Sequence, residues 1–238
     1  MLHETVLPAF EKAQRATIDL TRAVVAALEP GMSPSDVAAL ARDKAGQAPG
    51  TPFTGWFHPP EVYFDRTASG RSASRALRPG TVVQIDLAPA TETAFGDFGH
   101  SFSFQSAEHT VVSEARRACR ATCGFASRFK CVGELFVFAQ SWANNHRMTL
   151  GARHSIGHAC LPREGLATAG WPLGARFAIK LRRNQIQWYN PRRMAGAYAV
   201  NPPIIHEGRM AAFEEIIFID GEQKHVLGRD HIDEIGSL

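Results

Sequence analysis

Two aspartates carry the first chemical signal in this chain. The stretch TVVQIDLAPATETAFGDFGHSFSF (81–104) holds Asp86 and Asp97, eleven residues apart, in apolar surroundings. Val82, Val83 and Ile85 are the β-branched residues a half-buried strand favours, and Gly80 and Pro89 punctuate its ends. A polar turn and a second apolar run follow, so a hairpin would project both acids into one place. Two like charges buried side by side are very costly unless a cation or a proton joins them. On their own the two residues fit equally well an Asp86 that ends a strand and an Asp97 that caps a turn.

The order Pro79-Gly80, VVQIDL, then Asp97 and an apolar strand resembles the first metal-binding hairpin of the pita-bread fold. That fold is shared by methionine aminopeptidases, proline-specific aminopeptidases and creatinase. The resemblance covers roughly residues 8–225 and implies two Asp, a His and two Glu as ligands of two metal ions. ARHSIGHA (152–159) resembles the family's His-x-Ile-Gly segment, which makes His154 the imidazole ligand. AAFEEIIFID (211–220) resembles its closing strand and assigns Glu214, with Glu215 turned to the opposite face by strand alternation. One position departs from the pattern. LGARFAIKL (173–181) places Lys180 where the family has Glu, and a protonated ammonium does not ligate a metal.

The ligand set implied is thus Asp86, Asp97, His154 and Glu214, enough for one divalent ion, with manganese, iron and zinc all chemically suited. Alternatively Lys180 stands in the second metal's place as a fixed charge, salt-bridged to Asp97 and Glu214 with no metal. The family's peptidases also carry a His before the hairpin and another beyond the ligand His. SGRSASRALR contains none, and Leu161 fills the latter position. His158, His100 and His206 are the replacements on offer, with His158 or Glu215 as the group that moves protons. Trp56, Phe57 and His58, in the aromatic cluster GWFHPPEVYF, either line a substrate pocket or pack a loop. QIQWYNPRRMAGAYAVNPPIIHEGRM (185–210) is long for a strand connection. Its Trp188, Tyr189, Arg192 and Arg193 cover the site and hold an anionic substrate, form a dimer contact, or make a solvated loop.

These residues need elements to position them. Phe10, Ala13, Ile18, Leu20, Val24, Val25 and Leu28 give residues 8–28 a helical apolar face, ended by Pro30-Gly31. Ser33-Pro34-Ser35-Asp36 opens a second helix with a Ser cap, Pro at the first helical position and an acid three residues on. It runs to about Ala45, where the Gly/Pro-rich segment 46–60 breaks it. EVYFD (61–65) reads as a short strand and 69–80 as a polar connection. Ser113 reads as the cap of a helix over 114–129, and a fourth helix over 134–145 carries the buried run LFVFA. Strands follow at 152–160, 176–181 and 213–220, so helix–helix–hairpin occurs twice, at about 8–105 and 113–220. The expected fold is α/β (α+β): one pita-bread domain over residues 1–238, its pseudo-twofold halves around a curved antiparallel sheet, with a polar tail at 226–238.

Composition excludes several classes. At 238 residues, 45% hydrophobic and 21% charged, the chain reads as an ordinary soluble globular protein. A net charge of +3 is too small to argue for nucleic acid, and no apolar run reaches the length of a membrane span. Cys119, Cys123, Cys131 and Cys160 lack zinc-like pairing and read as free thiols in a reducing cytoplasm. The function the family resemblance implies is hydrolysis of a C–N bond in a small amino-acid-like or amide substrate, with at most one metal ion and a possible homodimer. Two alternatives stand beside it. One is a non-hydrolytic lyase, iron-dependent or creatinase-like enzyme; the other is a catalytically dead module that binds a peptide or protein.

Overall fold

The computed structural model describes residues 3–47, 53–152, 154–160 and 184–229. Two helices, α1 (His3–Val25) and α2 (Pro34–Gln47), precede three strands, β1 (Gly55–Phe64), β2 (Val82–Ala90) and β3 (Phe98–Ser103), in one antiparallel sheet of order β1-β2-β3. Two further helices, α3 (Thr110–Phe125) and α4 (Val132–Asn145), precede the second set of strands: β4 (Thr149–Leu150), β5 (Gly157–Cys160), β6 (Gly196–Val200), β7 (Ile204–His206), β8 (Arg209–Ala211), β9 (Glu215–Asp220) and β10 (Gln223–Val226). These form a sheet of order β10-β9-β6-β5 and a smaller one of order β4-β7-β8. The expected repetition of a helix pair followed by antiparallel strands is therefore present. No described helix is long and apolar enough to cross a membrane.

Each half buries its own core. Val83, Ile85 and Leu87 of β2 meet Leu20 and Val24 of α1 and Val37 and Ala41 of α2. Val112, Ala115 and Cys119 of α3 and Leu135 of α4 meet Tyr198 of β6 and Ile217 of β9. Phe10 and Ala13 of α1 cross to Ala197, Ala199, Ile216 and Phe218 and join the two halves. The halves also meet where the site forms, since Glu214 N donates to Gly99 O at 2.8 Å.

Several boundaries differ from the sequence expectation. β1 begins at Gly55, inside the Gly/Pro-rich segment, because an edge strand tolerates Pro59 and Pro60 at its irregularities; its register shifts between Trp56 and His58 and again between His58 and Glu61. α3 starts at Thr110 and not after Ser113, capped by His109, whose Nδ1 accepts from Val111 N at 3.2 Å. In α4 the run LFVFA is not buried throughout, for Val137 is 51% exposed. Residues 185–210 are no simple loop, since β6, β7 and most of β8 lie within them. The described part of the expected tail is packed: Leu227 is buried and its N–H donates to Ile216 O at 2.8 Å. The strand expected at 176–181 lies outside the described residues.

Candidate metal centre

The sequence reading placed Asp86 and Asp97 in one spot, and the hairpin does so. Asp86 sits in β2 and Asp97 immediately before β3. The Asp97 backbone is clamped by α1, where buried Gln14 accepts from Asp97 N at 2.8 Å and donates to Asp97 O at 2.9 Å. Gly96 makes this approach possible, because a Cβ there would overlap Thr17. Glu214 arrives from the other half, just before β9, and its Oε2 accepts from Asn201 Nδ2 at 3.1 Å.

Two imidazoles complete the cluster. His158 Nε2 lies 3.1 Å from Asp97 Oδ2, and His58 Nε2 lies 3.7 Å from both Asp86 Oδ1 and Asp97 Oδ1. Asp97, His158 and Glu214 offer donor atoms within 4.8 Å of one another, as do His58, Asp86 and Asp97, so Asp97 is common to both groups. Asp86 Oδ1 and both Asp97 oxygens are buried and make no hydrogen bond among the described residues; the imidazole approaches are ion-pair contacts outside hydrogen-bond alignment. A divalent ion would satisfy these oxygens, and their hardness together with the imidazoles matches such a cation.

The electrostatics follow from burial. Desolvation, then the Asp97 charge, raises Asp86 to about 7, against the pull of His58. Burial also raises Glu214, joined by Asp97 and Asp86. Burial alone would raise Asp97 too, but His158 and His58 together hold it below the ordinary carboxylate range. Burial works against charge on both imidazoles, yet Asp97 and its acidic neighbours outweigh it and raise each to about 9. His58 Nδ1 is 2.9 Å from Pro59 O, a pure acceptor, so that nitrogen carries the proton and Nε2 is the one facing the acids.

His154 does not join them: it is exposed and lies in neither group, and His158 stands where His154 was expected. The reason is the start of β5. Gly157 has φ +128, and a Cβ there would run into Ala199 O, so the strand begins at that glycine and carries His158 into the cluster. Glu215 faces away, as strand alternation requires, toward Cys119, Cys123 and Arg229, whose Nη2 is 3.4 Å from its Oε2. It is therefore not placed to move protons at the cluster. His100 is buried among Phe98, Phe102 and Phe213, and His206 lies 3.9 Å from Glu207; neither belongs to the two groups. Lys180 lies outside the described residues.

The expected substrate pocket is placed only in part. A cavity of about 640 Å³ opens on the cluster, and His58 lines it. Phe57 stacks on Phe95, with ring centroids 4.2 Å apart, and lies 5.3 Å from the His158 ring, backing the cluster. Trp56 packs against the first-half core. Arg192 donates to Asn184 Oδ1 at 2.9 Å and Arg193 to Phe129 O, while Trp188 and Tyr189 line a separate groove beside α4. Those four side chains do not line the cavity. Residues that do, and that the sequence reading passed over, include Glu61, Arg66 and Asn201.

A family model for metallopeptidase family M24 matches residues 8–219. The fold is that of an X-Pro aminopeptidase from Thermotoga maritima, with 18% identity, a TM-score of 0.71, and 94% of this chain and 61% of that one covered. A methionine aminopeptidase from the same organism aligns with 17% identity and a TM-score of 0.69 over 92% of this chain and 95% of that one. A prolidase from Pyrococcus horikoshii aligns with 16% identity and a TM-score of 0.68 over 95% and 62%. The chain thus spans about three fifths of the X-Pro aminopeptidase and prolidase chains and nearly all of the methionine aminopeptidase. No curated protein sequence matches. These likenesses establish the pita-bread fold.

Proposed function

The chain belongs to metallopeptidase family M24, and from that premise we propose that it is a metal-dependent hydrolase of C–N bonds in small amino-acid-like or amide substrates, working with at most one divalent ion. The observation that carries this reading is the set of buried Asp86 and Asp97 oxygens without hydrogen-bond donors, faced by two imidazoles and Glu214. Asp97, His158 and Glu214 would hold the ion, with Asp86 beside them; manganese, iron and zinc all suit such donors. Bound there, the ion would polarise a substrate carbonyl and lower the pKa of water.

The remaining work falls to the chain's own side chains. His158 is turned correctly for ligation, since its Nδ1 lies 3.3 Å from Ala159 O and its Nε2 faces Asp97. Asn201 fixes one oxygen of Glu214. His58, between Asp86 and Asp97 at the cavity wall, accepts a proton at Nε2 and returns it to the leaving amine. Phe57 and Phe95 exclude water behind His158.

Metal analysis of the purified protein, joined to hydrolysis assays on dipeptides and amides, tests the reading. About one equivalent of manganese, iron or zinc is expected, with His158→Ala losing metal and turnover and His154→Ala keeping both. Protein that takes up no metal on titration, and hydrolyses nothing, overturns it in favour of a module that only binds.

A further inference from the structure

A second recess lies away from the metal centre, and the chemistry above makes no use of it. This is the groove of about 430 Å³ beside α4. Phe125, at the end of α3, and Phe138 of α4 stack at 4.3 Å between ring centroids and line it from one side. Trp188 and Tyr189, edge to face at 5.3 Å, line it from the other. Their turn is fastened to the start of α4 by main chain, since Gly133 N donates to Asn190 O and Val132 N to Arg192 O, each at 2.8 Å. Gly133 permits this approach, for a Cβ there would lie 2.6 Å from Trp188 O.

The face around this groove is apolar where a surface is ordinarily charged. Trp188 is 65% exposed, Tyr189 58% and Val137 51%, and Phe129, on the turn before α4, is 67% exposed. A lone exposed ring is ordinary, whereas adjoining ones mark a surface that something covers. α4 carries a single charge, Glu134, and its outward positions Val137, Ser141 and Asn144 are all neutral. Charge depletion joined to Trp, Tyr and Phe is the composition of an interface core.

We propose that this face is an isologous homodimer contact, in which Trp188 and Tyr189 of each copy enter the groove of the other. Shape supports a second copy, because a twofold contact requires projection and recess in one patch, and this patch has both. Charge supports it too. Glu222 pairs with Arg128 at 2.5 Å and Glu134 with Lys130 at 3.6 Å, and Arg193 adds its charge beside Glu134. The rim thus carries both signs, which suits a copy of itself; an acidic partner or an anionic lipid surface asks for one sign. Area agrees. Three aromatic side chains, each about two-thirds exposed, offer roughly 300–450 Å², and the outward face of α4 extends this toward the ~800 Å² each partner gives a standard interface. No described residue lines both recesses, so pairing here covers no wall of the metal-centre cavity.

Sedimentation velocity over a range of protein concentrations tests the contact. The parent is expected to dimerise, and Trp188→Ser or Val137→Glu to weaken association about thirtyfold or more, with circular dichroism unchanged because both side chains already face water. Hydrogen exchange on the parent gives a reading that needs no variant, since amides of the turn at 188–191 slow as the dimer forms. A parent that stays monomeric overturns the proposal. So does a dimer that both substitutions leave intact, or one whose added protection falls on another face. Phosphatidylglycerol vesicles that capture monomeric parent assign the face to lipid and sink the proposal as well.

Discussion

Gly99→Ala is the sharpest test of how the two halves build one metal centre. A Cβ at Gly99 would lie 2.9 Å from Glu214 Cβ and 3.3 Å from Glu214 N. Both atoms belong to the root of the residue, so rotating the Glu214 carboxylate does not relieve the overlap. Reaching an ordinary contact moves the Glu214 backbone by about 0.5 Å and stretches its 2.8 Å hydrogen bond to Gly99 O. Overpacking of this kind costs about 1–3 kcal/mol, and at this chain length each kcal/mol lowers Tm by roughly 2–4 °C. The displacement exceeds the ~0.2 Å tolerance of a metal-ligand distance, so metal affinity falls about 10- to 100-fold. Gly133→Ala is the control, since its Cβ would meet Trp188 O at 2.6 Å, beside α4 and away from the cluster. Calorimetric titration with manganese or zinc, alongside thermal melts, separates the two variants. Unchanged metal affinity in Gly99→Ala, or an equal loss in Gly133→Ala, refutes the argument that Glu214 is positioned through Gly99.

Three further outcomes are expected, two from this geometry and one from the sequence pattern at Lys180. His58 and His158 are raised to about 9, so their contribution to metal-free stability is full below pH 6.5 and is lost as pH rises through 9; bound metal displaces those protons, and its affinity increases with pH over the same window, read as proton release in buffers of different ionisation enthalpy. Glu215→Gln leaves metal content and turnover unchanged, because Glu215 faces Cys119, Cys123 and Arg229, and its effect is confined to the melting temperature. Lys180→Glu supplies the carboxylate the family pattern expects and raises metal stoichiometry from at most one to two, measured by elemental analysis; an unchanged ratio removes Lys180 from the site.

What was legible in the sequence was whatever local patterning controls. The β-branched run at Val82–Ile85 announced β2, and the hairpin spacing brought Asp86 and Asp97 together. Glu214 followed from the resemblance of AAFEEIIFID to the family's closing strand, and the outward turn of Glu215 from alternation within it. The choice between His154 and His158 was not legible, because it turns on where β5 begins, and that is set by the contact of Gly157 with Ala199 on another strand. Gln14 was hidden for a similar reason: one polar residue on an apolar helical face gives no sign that it clamps the Asp97 backbone. Residues 185–210 read as a loop because β6, β7 and β8 are only three to five residues long and are broken by Pro202-Pro203 and Gly208. Composition alone left Arg192 and Arg193 open between an anion site, a dimer contact and a solvated loop, while the chain turns them toward Asn184 and Phe129.

The charge balance of the cluster argues for one ion ahead of two. Without metal at neutral pH, Asp97 is ionised and His58 and His158 carry protons, while burial favours the protonated form of Glu214. One divalent ion held by Asp97, His158 and Glu214 displaces the proton of His158 and the one burial favours on Glu214, and exchanging two protons for one such ion leaves the total charge of this buried place unchanged. It also frees the Nε2 atom that His158 must offer as a ligand, and the charge of the ion opposes the proton on His58, whose Nε2 then serves as a base. A second ion must in addition displace the proton that burial and the Asp97 charge favour on Asp86, raised to about 7. It would also occupy the group formed by His58, Asp86 and Asp97, the same ground on which His58 handles protons. One ion at Asp97, His158 and Glu214 therefore leaves His58 free to act. Two ions would turn it from a base into a ligand.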